Sequence, residues 1–370
     1  MNLGVSAEQR ELRESVRRFL AERAPLTAVR ELMESTHGTD PDVWRQAGTQ
    51  LGLPGIAVPE EYGGAGFSFA EQAIVLEELG AALFTGPYLA SAVLAATALL
   101  AGDDEEARKD LLPGIAAGET VATLAFTEDD GSWDPASIRL AAASERGWRL
   151  DGHKSFVLDG HAADLILTVA TTDRGLSLFA VNSGATGLTR RALPTLDQTR
   201  KLARLAFDHT PARLVGEPGA ARAVLDHTLD VAAIALAAEQ LGGAQRALDM
   251  AVEYAKIRQQ FGRPIGSFQA IKHRCADLLL EVESLRSAVG YAAAAVAAGS
   301  TEVPVLASLV KSYASEVYSH VAGENIQIHG GIGFTWEHDA HLYLKRAKAS
   351  ELFLGDASYH RERLISRIGL

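Results

Sequence analysis

The chain has 370 residues, 47% of them hydrophobic and 22% charged, with a formal net charge of −12. Those proportions exclude a disordered chain and leave material for a large core spread over two or three domains. The acidic balance argues against a general attraction to nucleic acid or anionic membrane, while one cysteine, Cys275, excludes an intrachain disulfide framework and points to a cytoplasmic, reducing setting.

In chain order, charges recur through residues 1–23, so this segment has no uninterrupted apolar stretch of the kind a secretory signal needs. Ser6 followed by Gln9 predicts a capping box, and Leu12, Val16, Phe19 and Leu20 fall on one face of the helix behind it. The Pro/Gly-rich stretch 51–69 predicts a connector, and "AEQAIVLEELGAAL" and "YLASAVLAATALLAG" resume helical periodicity. Residues 1–120 therefore read as a helical block. Residues 121–217 change character: "TVATLAFTE", "GWRLDGHKSFVLDG", "DLILTVATT", "LSLFAVNS" and "RLAFDHTP" are short β-branched or aromatic runs, predicting a domain of several antiparallel strands. Residues 218–370 return to helix, with runs at about 220–258, 267–299, 303–328 and 339–353 that suit a four-helix bundle. The apolar stretch "YAAAAVAAG" at 291–299 is too short to span a bilayer.

Few residues announce chemistry on their own. "HGGIGF" places Gly330, Gly331 and Gly333 at a helix end, where they stop the helix and admit a ligand or another backbone; no strand precedes them, so this is not a Rossmann fingerprint. His338 and His341 have no evident third metal ligand and read as a solvated helix start. Cys275 lies in a helical pattern and reads as a core thiol. In "IRQQFGRPIGSFQ", Arg258 is assigned to the last turn of a helix that Gly262 and Pro264 terminate. Two readings stay open there: a cation favoured by the helix dipole, or a guanidinium fork beside an aromatic ring that captures a phosphate.

Together these segments resemble a family. "YAKIRQQFGRPIGSFQ", "ADLLLEVES", "ENIQIHGGIGF" and "KRAKASELFLG", with "VPEEYGGAG" upstream and "FTEDDGS" followed by "GHKSFVLDG" in the β-block, are similar to the acyl-CoA dehydrogenases over nearly the whole chain. The resemblance implies an α+β fold: an N-terminal helical domain (1–120), a central antiparallel β-barrel-like domain (121–217) and a C-terminal four-helix bundle (218–370). It implies FAD bound at a subunit interface, its tail held by the neighbour's Arg258, Phe261 and Gly262 and by Gln327, Gly330 and Gly331. Thr127, Glu128 and Phe156 are the implied flavin-ring residues. The implied reaction is α,β-desaturation of an acyl-CoA thioester in lipid metabolism, with electrons passed to an electron-transfer flavoprotein, in a homo- or hetero-tetramer.

The same resemblance exposes departures. Asp129 stands where the family has proline, and Leu158 where it has a hydroxyl that hydrogen-bonds the flavin. The family's catalytic glutamate falls, counted from Gln327, on Leu354, and its alternative position falls on Ala232, followed by Ala233. Glu239, Asp356 and Glu351 are the carboxylates left nearby, of which Glu239 sits two helical turns beyond Ala232 and so about 10 Å along the axis. Residues that would hold a neighbour's FAD are kept, and residues that would run chemistry on the chain's own flavin are not. The expectation is a subunit that completes a partner's site, pairing through the bundle's apolar face, as in the family's heterotetramers with one degenerate chain. The alternatives are a self-sufficient dehydrogenase with a relocated carboxylate base and a flavin oxidase acting on a substrate other than a CoA thioester.

Overall fold

The computed structural model describes residues 6–144 and 147–370. Helix α1 (Ala7–Arg23) begins on the expected capping box: Ser6 Oγ accepts from the Gln9 N–H at 3.1 Å and the Gln9 side chain accepts from the Ser6 N–H at 3.0 Å. Helices α2 (Leu26–Glu34) and α3 (Pro41–Leu51) follow, then two short 3₁₀ turns in the Pro/Gly-rich connector, then α4 (Phe69–Ala81). A π-helical segment, Leu89–Ala95, runs into α5 (Ala96–Ala101), and α6 (Glu105–Ala116) follows.

Seven strands come next: β1 (Ala122–Ala125), β2 (Ala141–Ser144), β3 (Trp148–Leu158), β4 (Leu165–Thr172), β5 (Gly175–Asn182), β6 (Leu188–Leu193) and β7 (Leu202–Val215). The run β4-β2-β3-β7-β5 closes on itself because β5 also pairs with β4, which makes a small barrel; β1 is added to β4 and β6 to β7. Leu150, Ile166, Phe179, Val181 and Leu205 fill it, with Trp148 edge-on to Phe179 at 5.3 Å. The expectation of antiparallel pairing needs correction at one side. β1 runs parallel to β4 from Ala122↔Leu165 to Ala125↔Thr168, and β2 meets β4 in parallel at Ala141↔Thr171. The β2–β3 hairpin lies between β1 and β4 in the chain, long enough for the crossover that a parallel pair requires. Strands β2 and β6 escape the sequence pattern because most of their side chains are exposed or half-exposed.

The last block holds α7 (Ala221–Ile257), a hairpin of β8 (Gln259–Gln260) and β9 (Arg263–Pro264), then α8 (Gln269–Ala297), α9 (Val303–His329), α10 (Ala340–Leu352) and α11 (Ala357–Ile368). The first four helices match the expected runs, and α11 is additional. No described helix is long and apolar enough to cross a membrane.

The chain divides into two compact units: residues up to Arg30, Phe69–Phe84 and Ala233–Leu370 form one, and Glu31–Ser68 with Thr85–Ala232 form the other. In the first, α4 and α7 touch backbone to backbone. A Cβ on Gly80 would lie 1.9 Å from the Glu239 carbonyl oxygen, and one on Gly242 would lie 1.7 Å from that of Glu77. Side chains lace the same contact: Arg13 pairs with Glu77 at 2.7 Å and Glu78 at 2.8 Å, and Arg286 bonds Gln245 at 2.7 Å as well as Glu77. Gly242→Ala forces these helices apart and is expected to cost about 1–3 kcal/mol in urea unfolding, as overpacking does. Gly323→Ala, in α9 with open space around the added carbon, is the control and is expected to be neutral or mildly stabilising.

Candidate functional site

The hairpin between α7 and α8 is built by two residues. Phe261 (φ +55°) and Gly262 (φ +74°) both sit in the left-handed region, as a two-residue primed turn demands, with Gln260 opposite Arg263 and Gln259 opposite Pro264. Arg258 lies one residue past the end of α7 rather than within its last turn, although its N–H still donates to the Tyr254 carbonyl at 2.9 Å. Its guanidinium is exposed, and among the described residues it makes no hydrogen bond or ion pair. Phe261 is 91% exposed, edge-on to Phe268 at 6.1 Å, and Arg263 stacks over Phe268 at 4.1 Å.

The glycine segment stands at the same end of the bundle. Helix α9 stops at Gly330 (φ +64°, ψ −144°), a conformation open to glycine, and a 3₁₀ turn runs to Phe334. Tyr254, one turn before Arg258, stacks on His329, the last residue of α9, at 4.2 Å. That stack ties the two helix ends together and brings Arg258 and the exposed Gln327, Gly330 and Gly331 into one neighbourhood. A Cβ on Gly330 or Gly331 would meet nothing within 4 Å, whereas one on Gly333 would lie 2.8 Å from the His329 side chain. Gly333 therefore serves packing, and the other two leave backbone open to an approaching group. Cys275 joins Ala251, Ala255 and Ile328 in the small apolar cluster beneath, and burial raises its thiol. His341 is buried against Trp336 at 4.9 Å, not solvated as the sequence suggested.

The ring-side residues lie in the other unit, and the two polar ones, Thr127 and Glu128, are turned toward the protein. The Thr127 hydroxyl donates to the Ser155 carbonyl at 2.7 Å. Glu128 Oε1 accepts from the N–H groups of Arg139 (2.9 Å) and Leu140 (2.8 Å) and from Lys154 Nζ (2.8 Å). Lys154 is wholly buried, and burial pulls it down to about 8 despite Glu128. Burial works to raise Glu128, but Lys154 and the two amides hold it below the usual range. Asp129 ties Arg204 at 2.9 Å and His153 at 2.9 Å, so the residue that replaces proline here is an ion-pair hub. Phe156 (φ +57°) stands at a register shift in β3 and is 36% exposed, whereas Leu158 is buried and offers no donor.

The base positions hold no titratable group. Ala232, Ala233 and Leu354 are all buried. Glu239 pairs with buried Arg346 at 2.7 Å. Asp356 caps α11, accepting from the Tyr359 N–H at 2.7 Å, and Glu351 binds Ser319 at 2.7 Å and Lys348 at 2.8 Å. Sequence reasoning missed Lys311, visible only as a charge inside an apolar run, and Arg346, which the neighbouring Lys345 and Lys348 make look like part of a solvated charged face.

Three family models cover the chain: "Acyl-CoA dehydrogenase, N-terminal domain" at 6–119, "middle domain" at 123–209 and "C-terminal domain" at 221–369. The chain belongs to the acyl-CoA dehydrogenase family. It is 39% identical to acyl-CoA dehydrogenase IpdE2 of Mycobacterium tuberculosis over 98% of this chain and 97% of that protein. It superposes on a chain of the ChsE4-ChsE5 complex from Mycobacterium tuberculosis with a TM-score of 0.91 and 31% identity, covering 100% of this chain and 99% of that one. Butyryl-CoA dehydrogenase from Megasphaera elsdenii gives a TM-score of 0.93 at 26% identity, with both chains covered completely. Set against the FAD of this family, the tail residues fit: a cation without an internal partner, an exposed aromatic ring and two glycines with open space. The ring-side residues fit less well, because their polar side chains are already engaged within the protein.

Proposed function

We propose that this chain is the subunit of an acyl-CoA dehydrogenase assembly that completes a neighbour's FAD site and lacks a proton acceptor of its own. The family's reaction is α,β-desaturation of an acyl-CoA thioester with FAD as cofactor; when bound, FAD supplies the two-electron acceptor. Arg258 would hold the diphosphate of a neighbour's FAD, with Phe261, Gln327, Gly330 and Gly331 around it. The observation that carries this reading is the contrast between the two groups of residues: Arg258 is exposed and unengaged, while Leu354, Ala232 and Ala233 carry no carboxylate and Glu239, Asp356 and Glu351 are committed elsewhere. Large exposed apolar side chains around the hairpin and the glycine segment, Ile257, Phe261, Phe334 and Trp336, give a partner subunit a surface to cover.

The rest of the reading is a tetramer divided into domains at 1–120, 121–217 and 218–370, an electron-transfer flavoprotein or similar acceptor, and a cytoplasmic setting in lipid metabolism. Likeness to a two-component complex, the extents of the three family matches and the unpaired Cys275 support it. The backbone N–H of Leu354 would still polarise a thioester carbonyl, so the chain keeps half of the chemistry and lacks the base.

The test is turnover and flavin content. Purified alone and given a panel of acyl-CoAs with an artificial electron acceptor, the chain is expected to run at least roughly 10²-fold below a subunit that has its base. Co-produced with a base-bearing family subunit, it is expected to raise the FAD retained per assembly, and Arg258→Ala to lose that gain. Robust turnover by the lone chain, abolished by Glu239→Gln or Asp356→Asn, would overturn the proposal in favour of a relocated base; peroxide release would favour an oxidase.

A further inference from the structure

Lys311 lies on α9 in "VLASLVKSYAS", a run with no other charge, and is completely buried. Its Nζ donates to Ser315 Oγ at 2.8 Å, to the Gly355 carbonyl at 2.9 Å and to the Glu351 carbonyl at 3.2 Å. Three N–H donors thus meet three neutral acceptors, which is how an ammonium is tolerated in a core. Ser315 Oγ also accepts from Gln240 Nε2 at 3.3 Å, so the same group links α9 to α7.

Of the three acceptors, the Glu351 carbonyl lies in the last turn of α10, and the Gly355 carbonyl lies just beyond it in the connector between α10 and α11. There Leu354 is held at φ +62° and Gly355 at φ +100°, the first in a region that leucine rarely adopts. His360 Nε2 donates to the Leu354 carbonyl at 2.9 Å from the α11 side. The N–H groups of Phe353 and Gly355 donate to Ala349 and Leu352 at 3.0 and 3.2 Å. The carbonyls of Glu351, Leu354 and Gly355 are therefore all drawn to buried side chains. Among the described residues the N–H of Leu354 has no acceptor.

We propose that Lys311 is a positioning residue that clamps the α10–α11 connector through the Glu351 and Gly355 carbonyls, so that the Leu354 N–H stays presented to a thioester carbonyl. The clamp acts through backbone carbonyls, and it explains how a buried residue with no proton to accept keeps a strained backbone. The use of that N–H rests on the functional reading above.

Amide hydrogen exchange on the purified chain tests the clamp, and ligand binding tests its use. Lys311→Met keeps the volume without donors, Lys311→Gln keeps donors without the charge, and Ser315→Ala removes one acceptor. Lys311→Met is expected to speed exchange in peptides covering 350–356 by roughly tenfold or more while α8 peptides stay unchanged, with Lys311→Gln and Ser315→Ala intermediate. Unchanged exchange, or equal acceleration throughout the bundle, or Gln no better than Met, overturns the clamp. The binding arm compares butyryl-CoA with S-butyl-CoA, a thioether lacking the carbonyl. The wild-type chain is expected to prefer the thioester about fivefold, and Lys311→Met to erase the preference. Localised opening with no thioester preference in the wild type leaves the clamp standing and overturns the assignment of the N–H to a thioester.

Discussion

Glu239→Ala is expected to remove about 3–5 kcal/mol of stability in urea unfolding, because it strips the facing carboxylate from a guanidinium deep in the core. Glu239 Oε1 lies 2.7 Å from Arg346 Nη1, and the two side chains are 9% and 3% exposed. Each charge has been taken out of water, and their attraction offsets that cost only while both are present. The double variant Glu239→Met with Arg346→Met is therefore expected to recover most of the loss, since an apolar pair of similar volume carries no desolvation cost. The pair also separates the two readings of Glu239. As half of an ion pair it sets stability, and Glu239→Gln then lowers the urea midpoint together with any activity. As a base it sets turnover, and Glu239→Gln then abolishes acyl-CoA oxidation at unchanged stability. The second outcome would defeat the proposed function.

What the sequence reveals about this fold is what local chemistry decides. The capping box at Ser6 and Gln9, the Gly262 turn and the end of α9 at Gly330 each depend on a few adjacent residues, and each occurs where the pattern places it. Features that depend on distant partners stay hidden. The parallel pairing of β1 with β4 joins segments more than forty residues apart, and nothing in "ATLA" encodes direction. Glu239 looks in sequence like a stray carboxylate near a vacated base position; its partner is 107 residues away. The candidate site divides in the same manner. Arg258, Phe261 and the glycines declare themselves as motifs, but their convergence depends on the Tyr254–His329 stack, which no spacing rule announces. Lys311 carried a faint signal as the lone charge of the apolar run 305–315. Its acceptors are backbone carbonyls, and side-chain reading has no access to those.

Lowering the pH from 6.5 toward 3 is expected to destabilise this chain through His360, and His360→Gln to remove that part of the loss. The ring is 1% exposed; burial, then the Lys311 cation, push its pKa down from 6.5 to about 3. Because Nε2 donates to the Leu354 carbonyl, Nδ1 is the bare nitrogen, and it is buried without a partner. The folded chain therefore keeps His360 neutral over this range, while the unfolded chain protonates it below about 6.5. The unfolded state binds more protons, so stability falls with pH: the contribution is complete above 6.5 and disappears as the pH approaches 3. A shift of that size is worth about 2–3 kcal/mol at pH 4.5 and at most about 4–5 kcal/mol near pH 3. Glutamine can still donate to the Leu354 carbonyl but does not titrate. His161, His329, His338 and His341, whose pKa values are also lowered by burial, are common to both proteins and cancel in the comparison. Urea unfolding at pH 8, 6, 5 and 4.5 should give His360→Gln the shallower acid slope. Parallel slopes for the two proteins would mean that the imidazole is protonated in the folded chain, and the clamp around Leu354 would then have to tolerate a second buried cation beside Lys311.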